Sequence, residues 1–126
     1  MPTYTVTTAN IHLSQEQKAA IAEIIKAAHH ENTGAPGYFA QVFFKSTDEG
    51  DHFIGGKANK SSHVFVLGQI RAGRSAEQKE AVIGQIITNT TKLLSIDQAD
   101  MWAYIQDIEA EQMAEFGRIL PAPGDE

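Results

Sequence analysis

Ser14-Gln15-Glu16-Gln17-Lys18 recurs 61 residues later as Ser75-Ala76-Glu77-Gln78-Lys79 in a chain of 126 residues. Each segment opens with a Ser whose hydroxyl can accept from the backbone three residues on. Each carries Gln at that third place, where the side chain can reach back. This reciprocal capping box marks the first turn of a helix. Helical periodicity follows both starts. Ile21, Ile24, Ile25 and Ala28 form one apolar stripe, and Val82, Ile83, Ile86, Ile87, Leu93 and Leu94 form the other. The spacing predicts helices over about 14–31 and 75–94. Asn32-Thr33-Gly34 followed by Pro36 stops the first.

Four runs rich in β-branched or aromatic residues flank these helices, over 3–8, 38–44, 63–70 and 101–108. A single shift of 61 residues lays Ile25 on Ile86 and Phe43 on Tyr104, with no gap across helix and second strand. The chain reads as a duplicated β-α-β unit, one domain over 1–126 with repeats of about 2–60 and 62–126. A β-α-β unit has parallel strands and a right-handed crossover. Two of them predict an α/β fold, a four-stranded sheet with both helices on one face. The other face is then bare and carries Phe43, Phe65, Trp102 or Tyr104, depending on register. So much apolar surface predicts association with further copies of the chain. The segment 47–62 reads as a loop with a short Phe53-Ile54 element.

The composition agrees with one soluble domain: 42% apolar and 21% charged residues. No apolar run approaches the roughly 20 residues of a membrane span, and the start lacks a secretory-signal pattern. The expectation is a cytoplasmic protein with no membrane partner. The formal net charge of −6 argues against a basic face for nucleic acid. With no Cys, disulfides, thiolate zinc sites and thiol catalysis are excluded. No His pair has metal-ligand spacing on a helix face, so no metal site is expected.

Few polar residues are placed for chemistry. Pro2 follows the initiator Met, which is commonly removed before a small residue. The product is a secondary amine, and an α-amino group titrates near 7.7–8.0 in the ordinary case. Such an amine can give or take a proton around neutrality. Arg71-Ala72-Gly73-Arg74 lies between the third strand and the second helix. Two guanidinium forks at a strand end beside a helix start suit a carboxylate. His29 borders the apolar stripe four residues after Ile25, with His30 beside it. Tyr104 and Glu115 are a phenol and a carboxylate that together can orient and deprotonate a water.

Pro2, His29, Arg71-Ala72-Gly73-Arg74-Ser75, Trp102-Ala103-Tyr104 and Glu115-Phe116-Gly117-Arg118 occur in one order. Each motif is weak alone. As a set, spread over nearly the whole chain, they resemble the tautomerase superfamily, specifically its cis-3-chloroacrylic acid dehalogenase group. The resemblance implies the duplicated β-α-β fold, a homotrimer, a small carboxylate substrate and no cofactor. It implies catalytic roles for all six residues. Pro2 would be the general acid, Arg71 and Arg74 the clamp that binds and polarises the substrate carboxylate, and His29 a further carboxylate ligand. Tyr104 and Glu115 would activate water. The implied activity is hydration, or hydrolytic dehalogenation, of small unsaturated acids. A tautomerase of enol or 2-oxo acids and a non-catalytic trimeric scaffold are the alternatives. Either enzyme needs Met1 removed, since with Met1 in place the Pro2 nitrogen is an amide.

Overall fold

The computed structural model describes residues 2–37 and 40–121. Both capping boxes form. Helix α1 (Gln15–Thr33) is capped by Ser14 and α2 (Ala76–Leu94) by Ser75. In each, the Ser hydroxyl accepts from the Gln backbone at 3.1 Å and the Gln side chain accepts from the Ser backbone at 2.8 Å. A lost cap of this kind costs about 1 kcal/mol. The helix ends match too. Gly34 (φ 77°) and Ser95 (φ 55°) occupy equivalent left-handed positions. Gly34 announces itself in the sequence; Ser95 does not.

The strands in chain order are β1 (Thr3–Ala9), β2 (Gln41–Thr47), β3 (Phe53–Ile54), β4 (Lys57–Ala58), β5 (His63–Arg71), β6 (Met101–Ile108), β7 (Ala114–Glu115) and β8 (Arg118–Ile119). The main sheet runs β2-β1-β5-β6. β1–β2 and β5–β6 are parallel, as β-α-β units require, and the two units meet along an antiparallel β1–β5 seam. The sheet is therefore mixed. β2 starts at Gln41, so Ala40, expected in this strand, lies outside it. The Ala40 N–H donates to Gly37 O at 3.1 Å and the Gln41 N–H donates to Pro2 O at 3.0 Å. Tyr38 and Phe39, expected in this strand, lie outside the described residues.

Both helices cover one sheet face. Tyr4, Val6, Val64, Val66 and Ile70 from the sheet meet Ile21, Ile25, Ala28, Val82 and Ile86 from the helices in one core. Each fully buried Ile contributes roughly 1.5–3 kcal/mol. Leu93, expected on the inner stripe, is 40% exposed, while Thr90 and Thr91 are buried. Thr91 tolerates burial because its hydroxyl donates to Ile87 O at 2.7 Å. The opposite sheet face is open in the single chain, with Phe43, Trp102 and Tyr104 each about half exposed. Among the described residues no helix is long and apolar enough to cross a membrane.

The repeat extends further than the sequence reading reached, and its offset needs a correction. Helices, second strands and the small hairpins all recur at 61 residues, with β7–β8 as the second copy of β3–β4. The first strands recur at 62: Thr3 lies opposite Gln41, and Phe65 opposite Trp102. The extra residue belongs to the β1–α1 loop. There Asn10 adopts φ 59° and its side-chain amide donates to Asn59 O (2.7 Å) and Ser61 O (3.0 Å). The counterpart of Pro2 is thus Val64, that of Tyr4 is Val66, and that of Arg71 is Ala9.

Candidate active site

Pro2 is fully buried at the entrance to β1. Its carbonyl is held by the Gln41 N–H, so the starts of two parallel strands come together. They form one wall of a cavity of about 480 Å³, with Pro2, Thr3 and Gln41 on one side and Met113, Glu115 and Phe116 on the other. Glu115 reaches it because the β7–β8 hairpin folds back over the sheet end.

The guanidiniums are tied to backbone. Arg71, the last residue of β5, is only 2% exposed, and its Nη1 donates to Pro121 O at 2.8 Å. Arg74 Nη1 donates to Thr33 O at 3.1 Å. That contact sets a cation at the C-terminal end of α1, where the helix dipole favours it. Each arginine therefore commits at least one of its five donors to the fold. His29 sits one turn before the end of α1, buried, with Nδ1 2.9 Å from the Tyr4 hydroxyl. Its neighbour His30 is exposed and bonds Ala35 O through Nδ1 at 2.7 Å.

The charges of these groups feel one another. Burial above all, then Arg74, the amino terminus, Arg71 and His30, bring His29 down to about 4. It is a neutral imidazole at pH 7. Burial raises Glu115, opposed by the amino terminus and Arg71. Burial and Arg74 lower Arg71, opposed by Glu115. Two guanidiniums, a neutral His and one carboxylate thus lie close enough for their charges to act on one another, and of these Glu115 lines the cavity. Cations near a carboxylate that can serve as a base are groups able to act on a small anion. Among the described residues no group of three or more His, Asp or Glu is arranged to hold a metal ion.

Of the six residues singled out in the sequence, Pro2 and Glu115 line this cavity, while His29, Arg71 and Arg74 are near enough for their charges to interact but do not line it. Tyr104 lies on β6 opposite Leu67, with its ring edge-on to Phe65 at 4.9 Å. There it lines a different cavity, of about 470 Å³, together with His52, His63 and Trp102. Conversely, Gln41 and Met113 line the cavity and Tyr4 bonds His29, and none of the three is singled out in the sequence, while Phe116 lines the cavity from a motif in which it is given no role of its own. For Phe116 a signal existed: Phe116-Gly117 falls on Gly55-Gly56 at the repeat offset. For Tyr4, a buried position in an alternating strand, no short-range signal exists.

The family model described as putative oxalocrotonate tautomerase enzyme matches residues 1–126. Among solved structures, N1, a member of the cis-3-chloroacrylic acid dehalogenase family, is 34% identical with a TM-score of 0.92, covering 97% of this chain and 85% of its own. Native Ps01740 is 29% identical with a TM-score of 0.83, covering 90% and 99%. A fused 4-OT described as an asymmetric trimer, 22% identical, shares the fold with a TM-score of 0.84 over 93% and 94%. No curated protein matches the chain in sequence. The chain belongs to the tautomerase superfamily and, within it, to the cis-3-chloroacrylic acid dehalogenase group.

Proposed function

We propose that this protein is an enzyme that hydrates small unsaturated carboxylic acids, with Pro2 as its acid and Glu115 as its base. One observation carries the reading: Pro2 and Glu115 line the same cavity, and Arg71 acts electrostatically on Glu115 beside it. Arg71, Arg74 and His29 hold the substrate carboxylate and draw electrons from the neighbouring double or triple bond. Glu115, made more basic by burial, takes a proton from water, whose oxygen bonds the far carbon. Negative charge develops toward the carboxylate, where the guanidiniums stabilise it. The Pro2 ammonium then protonates the near carbon. A 3-halo acid adduct loses hydrogen halide to give an aldehyde; an acetylenic acid gives a 3-oxo acid.

Tyr104 lines its own chain's second cavity, so a Tyr104–Glu115 pair forms only between copies. The exposed Phe43, Trp102 and Tyr104 supply the surface for that association, and we expect a homotrimer. Sedimentation as a stable monomer contradicts this expectation. Tautomerisation of an enol acid is the second reading. It is supported by the match to an oxalocrotonate tautomerase model and by a cavity lined by Pro2 but not by Tyr104 of the same chain. The experiment is to incubate the Met1-free protein with 3-haloacrylates, propiolate and phenylenolpyruvate and follow products by NMR. Aldehyde or 3-oxo acid supports hydration. Turnover of phenylenolpyruvate alone supports the second reading.

A further inference from the structure

The reaction just described leaves one polar contact of the core unused, the bond between Tyr4 and His29. We propose that Tyr4 is a positioning residue that holds His29 in its Nε2–H tautomer, so that a neutral imidazole donates a hydrogen bond to the substrate carboxylate beside Arg71 and Arg74. The proposal rests on the carboxylate chemistry assigned to this site.

The geometry fixes the proton. The Tyr4 oxygen lies 2.9 Å from His29 Nδ1, and the rings meet edge to face at 5.9 Å and 78°. Tyr4 is 1% exposed and burial pushes its phenol well above the usual range, so the hydroxyl keeps its proton. A buried O–H needs an acceptor. Among the described residues, Nδ1 is where this phenol finds one. A neutral imidazole that accepts at Nδ1 carries its hydrogen on Nε2, at the far side of the ring. A donor without charge is what this place requires. Arg71, Arg74 and the amino terminus, with His30 behind, all oppose a protonated His29. A carboxylate gains a hydrogen bond there without a further cation being crowded among the others.

The repeat supplies an independent argument. The counterpart of Tyr4 is Val66 and that of His29 is Thr90. Both members of the pair are thus present in one half and absent from the other. The cross-strand neighbour changes with them. Val66 lies opposite Val6 in the β1–β5 seam, whereas Tyr4 lies opposite Gly68. A Cβ at Gly68 would overlap the Tyr4 ring at Cε1 and Cδ1. The core makes room for a phenol only where that phenol meets His29.

The test is 15N NMR of protein labelled at histidine, in the parent and in Tyr4→Phe, which keeps the ring. The parent is expected to show His29 protonated on Nε2 alone near neutral pH. Unreactive propionate should shift that nitrogen. In Tyr4→Phe the Nδ1–H form should appear. KM for the substrate acid should rise about five- to tenfold, as for one lost hydrogen bond, with a smaller fall in kcat because negative charge grows on the same carboxylate in the transition state. An Nδ1–H tautomer in the parent overturns the proposal. So does Tyr4→Phe with an unchanged tautomer and KM, even if its melting temperature falls, and so does an Nε2 that propionate leaves unmoved. Absence of turnover alongside the expected tautomer and propionate shift would instead sink the hydratase reading alone.

Discussion

Two hairpins related by the repeat each close a cavity, of about 480 Å³ beneath β7–β8 and about 470 Å³ beneath β3–β4. Their backbones agree. The turn residues Phe116 and Gly117 have φ 54° and 78°, and Gly55 and Gly56 have 61° and 80°. Their side chains do not. Ile54 stands where Glu115 stands, Leu13 where Arg74 stands, Ala9 where Arg71 stands, Thr90 where His29 stands and Val64 where Pro2 stands. The second cavity holds instead an aromatic group, with His52 and His63 at 4.7 Å and His63 edge-on to Trp102 at 5.3 Å. The same shape was kept twice and charged once. The fold provides concave sheet ends, and a handful of residue differences sets their chemical character apart.

The largest expected effect removes the feature that only one half possesses, the terminal amine. Protein that retains Met1, or whose amine is acetylated, should show no turnover of either an acetylenic or an enol acid. Intact-mass spectrometry paired with the NMR assay checks it. Undiminished turnover by fully blocked protein would place the chemistry elsewhere, the second cavity included.

Glu115→Gln comes next, since it moves the first cavity toward the uncharged chemistry of Ile54. General-base assistance is typically worth about 10²–10⁴-fold. Hydration should fall by that factor, while any tautomerisation, driven by Pro2, persists. Hydration untouched by the change would mean that Glu115 does not activate water.

A third difference is readable as stability. His29 titrates, and Thr90 in the matching place does not. The unfolded chain binds a proton at His29 near the ordinary value of 6.5, the folded chain only near 4. Between those values the unfolded state holds more protons, so stability falls as the pH falls through this window. By pH 4 the loss attributable to His29 is about 3 kcal/mol. Denaturation across this range should therefore show a shallower decline in His29→Gln than in the parent. Parallel declines would mean that His29 is charged in the folded state or not buried in solution.

Much of this architecture is legible in the sequence because it rests on local signals. The two capping boxes set both helix starts, and the stripes that follow set the inner face. The failures have tertiary causes. Leu93 continues a periodic pattern, but the packed surface ends at Thr90 and Thr91. The offset of 62 in the first strands is hidden by one loop residue whose side chain bonds distant carbonyls. For the site, Pro2, His29, Arg71, Arg74, Tyr104 and Glu115 are named by the family resemblance that their motif order carries, since each motif is weak alone. It says nothing of Tyr4, whose importance depends on a contact with His29 and on the space left by Gly68. It also cannot tell that Tyr104 lines the other cavity, since strand order alone decides that.

The smallest expected effect tests the hairpin comparison itself. Phe116 is 82% exposed and sits in a left-handed conformation, where its counterpart is Gly55. A non-glycine residue in that conformation costs roughly 1–2 kcal/mol. Glycine removes that cost but loses roughly 0.5–1 kcal/mol in chain entropy on folding. The backbone terms of Phe116→Gly therefore run from no change to about 1 kcal/mol of added stability, at most several degrees in melting temperature, and any shortfall from that measures the contacts of the ring. If the strain is kept for the cavity wall, kcat/KM for the unsaturated acid should fall about tenfold, the size of a lost apolar contact in a pocket. The reciprocal change, Gly55→Phe, adds the strain where no chemistry is assigned, and should lower stability by about 1–2 kcal/mol with turnover intact. A Phe116→Gly protein that is clearly less stable yet fully active would show a structural ring, and the contrast between the two hairpins would then carry no catalytic meaning.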